Sequence, residues 1–129
     1  MNEQQYRLVA VDLDWTALNS QKTVGPRTVR AINTALDRGC QVIFCTGRCR
    51  GQFERYLDLF PKLRYAIASS GAVVYDVTTW EKCFTNELPV ELAERILTVG
   101  ERLDCFPFMA VDGHPQSESA PPVPQAARW

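Results

Sequence analysis

The chain has 129 residues, with 46% hydrophobic and 22% charged side chains, a size and balance that support one ordinary domain with a buried core and no need of disulfide or metal staples. Its formal net charge of −1 leaves no basic footprint for nucleic acid or for an anionic membrane surface. An anionic substrate would have to be held by a local site rather than by the global field. The five cysteines, Cys40, Cys45, Cys49, Cys83 and Cys105, form no C-x-x-C pair, and His114 is the sole histidine. That argues against zinc and for free thiols in a reducing cytoplasm. Met1 to Arg7 lacks the basic flank and apolar stretch of a secretion signal. No apolar run reaches the roughly 18–20 residues of a membrane span. The expectation is a cytoplasmic protein.

Along the chain, Leu8-Val9-Ala10-Val11 is a short apolar run ending in Asp12, which predicts a strand buried on both faces, as in a parallel sheet. A polar stretch follows to Gly25. Pro26 is placed for the first turn of a helix whose apolar positions are Val29, Ile32, Ala35 and Leu36, with Arg38-Gly39 as its stop. Residues 41–45 predict a second buried strand, ending at Thr46-Gly47-Arg48. Phe53, Tyr56, Leu57 and Phe60 predict a second amphipathic helix stopped by Pro61, and residues 65–68 a third strand. Such alternation predicts a parallel α/β sheet.

After Gly71 the pattern changes. Residues 72–76 and 81–85 flank a polar turn and predict an antiparallel hairpin. Pro89 opens a helix with Leu92, Ile96, Val99 and Leu103 on one stripe, and residues 106–111 suit one more strand. The segment 111–129 holds Pro115, Pro121, Pro122 and Pro124 among Ser, Gln and Ala, a composition that predicts a disordered tail.

The chemistry-bearing residues fall at strand ends, where open α/β sheets bind ligands. Asp12-Leu13-Asp14-Trp15-Thr16 places two carboxylates, two residues apart, beyond the first strand. They can converge on a cation or a phosphoryl group, or serve as turn and cap residues, which Asp favours. Thr46-Gly47-Arg48 ends the second strand. A hydroxyl and the N–H groups beside a glycine suit a phosphate oxygen, although the tripeptide alone also suits an ordinary turn. Ser69-Ser70-Gly71 closes the third strand with small residues.

Taken together and in this order, these motifs resemble the haloacid dehalogenase superfamily, in particular its Cof-type branch of phosphatases. Asp12 to Thr16 matches the first motif, Asp-x-Asp-x-Thr, and Thr46-Gly47-Arg48 the second. Thr23 to Thr28 resembles that branch's first crossover. Ser70 to Asp76 resembles the entry to its cap, and Val111-Asp112-Gly113 a later cap segment. The resemblance implies a Rossmann-like parallel core over residues 1–71, a partial α+β cap over 72–113 and a tail over 114–129. It implies Asp12 as nucleophile and Asp14 as acid and base. It places Leu13, Asp14, Thr46 and Gly47 at the phosphoryl group, and Mg²⁺ against Asp12 and the backbone carbonyl of Asp14. Arg48 is placed either to reach toward the substrate or in a surface or ion-pair role. The substrate class so implied is a small phosphorylated metabolite of the sugar-phosphate type, with no nucleic acid or membrane partner.

Two departures stand out. Trp15 occupies a position where the family most often has glycine. Nothing after Gly113 resembles the family's third-motif lysine or its Gly-Asp-x-x-Asn-Asp motif, so a C-terminally truncated member is expected, with a sheet edge open to self-association. A non-catalytic remnant that binds phosphate, metal or another protein stays open as a reading. So does a phosphotransferase or mutase built on the same motif.

Overall fold

The computed structural model describes residues 6–105 and 109–115. Its main feature is a five-stranded sheet in the order β1 (Leu8–Val11), β2 (Gln41–Cys45), β3 (Tyr65–Ala68), β4 (Val73–Asp76) and β5 (Glu81–Thr85). The first three strands run parallel, with Val11 opposite Phe44 and Cys45 opposite Ile67. β4 and β5 form the antiparallel hairpin that the alternating residues predict.

Helix α1 (Pro26–Asp37) makes the first crossover. Pro26 supplies a helical φ where no N–H is needed. Gly39, at φ +83, ends the helix with its N–H on the Leu36 carbonyl, while the Cys40 N–H bonds the Ala35 carbonyl. The core lies on one side of the sheet. Val42, Phe44, Ala66, Ala68, Val73 and Tyr75 alternate inward from β2, β3 and β4 and pack with Leu13, Ile32, Phe53, Phe60 and Leu63. Phe44 meets Phe60 edge-on, with ring centroids 5.5 Å apart, a favoured aromatic geometry.

Three expectations change in detail. β1 is not buried on both faces: among the described residues it pairs with β2 alone, and Leu8 remains 57% exposed. The second crossover is not one amphipathic helix. It is a single turn, α2 (Arg50–Phe53), followed by a 3-10 helix over Glu54–Leu59. Three residues per turn bring Phe53 and Tyr56 to the same side, and both are buried. Pro61 then forces Phe60 out of helical geometry, to φ −135 and ψ 68. Finally, the 72–85 hairpin, read from the sequence as the start of the cap, is hydrogen-bonded to β3 as part of the same sheet.

The chain divides into two compact units, Met1–Glu87 and Leu88–Trp129. The second contains α3 (Val90–Arg102) and a small hairpin of β6 (Ala110–Val111) and β7 (His114–Pro115). Asp112 and Gly113, at φ 47 and 78, form its two-residue turn, the geometry that favours Asp-Gly. His114 and Pro115 are therefore strand residues rather than the start of the tail. Residues 106–108 of the expected strand and residues 116–129 of the expected tail lie outside the described residues. Among the described residues no helix is long and apolar enough to cross a membrane.

Candidate active site

Parallel pairing of β1 with β2 puts Val11 beside Phe44, so the segments following both strands emerge at one end of the sheet. Leu13 is fully buried there and anchors the first loop, with Asp12 exposed on one side and Asp14 half-buried on the other. The loop is closed by its own backbone: the Ala17 N–H reaches the Asp12 carbonyl at 3.2 Å, and the Leu18 N–H reaches that of Leu13 at 2.8 Å. Trp15 turns the chain at φ 62.

The two carboxylates have different surroundings. The Thr16 hydroxyl donates to Asp12 Oδ2 at 3.1 Å. Asp14 is engaged on both oxygens. Arg48 Nε donates to its Oδ2 at 2.7 Å and Arg48 Nη2 to its Oδ1 at 2.8 Å, a bidentate fork. Lys22 Nζ also donates to Oδ1, at 2.7 Å. The hydrogen bonds from Arg48 and then Lys22 hold the Asp14 carboxyl far below the usual carboxylate range. The same pairing raises Arg48. Arg48 thus takes an ion-pair role, with Asp14 as its partner across the two strand ends.

Thr46 is buried. Its N–H bonds the Ile67 carbonyl, tying the turn to β3, and its hydroxyl oxygen accepts the Arg48 N–H at 3.1 Å. The next amide, Cys49 N–H, goes to Gln52 Oε1 at 3.2 Å. Two of the N–H groups beside Gly47 are thus already bonded. A Cβ at Gly47 would lie 3.3 Å from Ser70 Oγ, and the Ser70 N–H bonds the Thr46 carbonyl. The small residues that close the third strand thus back the second strand end.

Asp12, Leu13, Asp14, Thr46, Gly47 and Arg48 all belong to this one end of the sheet. The sequence reading did not assign Lys22 to it. Lys22 sits in a polar stretch with no periodicity, and its approach to Asp14 depends on how the loop folds. Asn19 Oδ1 accepts the N–H groups of Gln21 and Thr23, each at 3.0 Å. The Tyr56 hydroxyl donates to the Lys22 carbonyl at 3.0 Å. Together these bonds return Lys22 to the rim.

The donor set bears on the implied metal. Asp12 offers a carboxylate, whereas the Asp14 carboxylate is taken up by Lys22 and Arg48, which leaves for Asp14 the backbone-carbonyl role that the resemblance implies. Among the described residues no three His, Cys, Asp or Glu side chains converge. Such a set does not suit a metal caged wholly by protein. It does suit Mg²⁺, which is commonly held by one or two carboxylates, with waters and substrate phosphate completing the shell.

Comparison with known proteins agrees with this reading of the sheet. A family model of haloacid dehalogenase-like hydrolases matches residues 9–114. An HMP-PP phosphatase of Serratia proteamaculans (strain 568) is 34% identical over 98 residues, covering 71% of this chain and 33% of that protein. The pyridoxal phosphate phosphatase YbhA of Escherichia coli (strain K12) is 27% identical over 106 residues, covering 82% of this chain and 39% of that protein. A solved haloacid dehalogenase-like hydrolase from Bacteroides thetaiotaomicron matches with a TM-score of 0.70 at 19% identity, over 76% of this chain and 38% of that one, a likeness of fold. The chain spans 32–33% of the length of the first curated relatives it matches.

Proposed function

Because the chain belongs to the haloacid dehalogenase-like hydrolase family, we propose that the rim formed by Asp12, Asp14, Thr46 and Arg48 is the phosphoryl-transfer site of a phosphatase for small phosphorylated metabolites, of the sugar-phosphate type. The observation that carries the proposal is the contrast between the two carboxylates. Asp12 is exposed and touched by one neutral hydroxyl, whereas Asp14, two residues on, lies under two cations. Exposure leaves the Asp12 oxygens open to attack a phosphorus atom, and the neighbouring Asp14 carboxylate can exchange a proton only when its cations withdraw.

In this mechanism an Asp12 oxygen attacks phosphorus and forms an aspartyl-phosphate as the ester P–O bond breaks. Asp14 gives its proton to the leaving oxygen. It then takes a proton from water as that water attacks phosphorus, which breaks the Asp12–phosphorus bond and releases phosphate. Thr46, Gly47 and the backbone N–H groups of Leu13 and Asp14 receive the phosphoryl oxygens. Asp12 and the Asp14 carbonyl would hold Mg²⁺, which when bound would offset the repulsion between carboxylate and phosphate. Asp14 in its present state is a poor acid and a poor base, because Arg48 and Lys22 favour its anion. Both proton transfers therefore require that this clamp loosen.

The clamp also favours a second reading, a module that binds phosphate without turning it over. One assay separates the two. With Mg²⁺ and an aryl phosphate, the wild-type chain is expected to release phosphate, and Asp12→Asn to lose about 10³-fold or more of that rate. Equal rates in the two proteins overturn the phosphatase reading. Transfer of the group to an added sugar acceptor would mark a phosphotransferase instead.

A further inference from the structure

Asp14 has one more cation than its geometry needs. The Arg48 fork already serves both carboxylate oxygens, and Lys22 adds a second donor to Oδ1. The two cations are not equivalent. The Arg48 side chain is 15% exposed and is further tied by Nη1 to the Gln52 carbonyl at 3.2 Å. The Lys22 side chain is 43% exposed. Its backbone is fixed, by its N–H on the Asn19 carbonyl and by its carbonyl under the Tyr56 hydroxyl, so its freedom lies in a flexible four-carbon stem. Trp15 supplies the other contact. It is 80% exposed and sits at a positive φ of 62, a conformation that strains a non-glycine residue. Burial does not compensate that strain. What its ring touches is Lys22, whose Nζ lies 4.9 Å from the ring centroid, within cation–π range.

Resting on the phosphoryl-site reading above, we propose that Lys22 is a positioning residue with two stations: in the free site it holds Asp14 beside Trp15, and when a phosphate occupies the rim it swings to the anion while Arg48 stays on Asp14. The move takes one of two donors off Asp14 Oδ1 and adds a charge-assisted hydrogen bond to the ligand. Trp15 is the cradle for the first station, which gives a physical role to an aromatic residue in a strained, exposed position.

The test is NMR on the full chain with Mg²⁺, titrated with inorganic phosphate. The lysines are Lys22, Lys62 and Lys82, so Lys22→Met identifies the Lys22 ε-methylene signal by its loss. In the phosphate-free protein that signal is expected upfield, shifted by the Trp15 ring, and unshifted in Trp15→Ala. Phosphate should abolish the upfield shift saturably and leave the hydrogen-bonded Arg48 Nε–H in place. Lys22→Met should bind phosphate about tenfold more weakly, the loss of one charge-assisted contact, and Lys22→Arg should restore affinity to within about twofold. The proposal is overturned if the Thr46 and Gly47 amides report phosphate while the Lys22 signal stays put, or if Lys22→Met binds as tightly as wild type. Amides of Thr46 and Gly47 that ignore phosphate altogether would instead refute the phosphoryl-site reading, and the Lys22 proposal with it.

Discussion

At the scale of single residues, the site turns on what surrounds Asp14. Arg48 and Lys22 stabilise its anion in the folded chain, so its folded pKa lies below the unfolded value of about 3.9. The sign follows from proton binding: below that value the unfolded chain takes up the proton first. Asp14 therefore contributes its full stabilisation above about pH 4 and loses it as pH falls toward the depressed folded value. Unfolding by urea at a series of pH values should show stability declining below about pH 4, and less steeply in Asp14→Asn. Asp76, buried and held low by Thr78 and then Arg64, declines over the same range in both proteins, so the difference between them isolates Asp14. Identical acid limbs would mean that the clamp does not exist in solution.

At the scale of elements, the second strand end is built by close approach. Gly47 lies against Ser70, and an added Cβ would stand 3.3 Å from its Oγ, tight enough that the hydroxyl must shift. Gly47→Ala is expected to cost about 1 kcal/mol, the low end for overpacking, and to cost less in a Ser70→Ala background. Denaturant unfolding of the double-mutant cycle measures the coupling, and equal costs in both backgrounds would show that this contact does not set the turn. Much of this arrangement was legible in the sequence. The apolar runs of β2 and β3, the Pro26 start and Gly39 stop of α1, and Asp12 and Thr46 at strand ends all follow from local pattern. An ion-pair role was one of the readings of Arg48, but its partner was not legible, because partner choice between side chains 34 positions apart leaves no periodic trace. Lys22 was hidden because its approach to Asp14, eight positions away, depends on how the polar loop folds. The exposed side of β1 and the 3-10 turn after Phe53 were also missed: apolar runs report what a strand can bury, and spacing alone does not separate a 3-10 turn from an α-helix.

At the scale of the whole molecule, the fold is that of the haloacid dehalogenase-like hydrolases. Its parallel β1–β2–β3 core brings Asp12, Asp14, Thr46 and Arg48 to one end of the sheet. The hairpin of β4 and β5 extends this sheet, and the division between compact units falls after Glu87. The proposed phosphatase function requires covalent chemistry at Asp12. A short incubation with radiolabelled aryl phosphate and Mg²⁺, acid quench and borohydride reduction would convert an aspartyl-phosphate to homoserine and mark its position in a peptide digest. The expected result is an acid-stable, base-labile label in the wild-type chain, homoserine at position 12, and neither in Asp12→Asn. No label in the wild-type chain, or a label that survives Asp12→Asn, would contradict it.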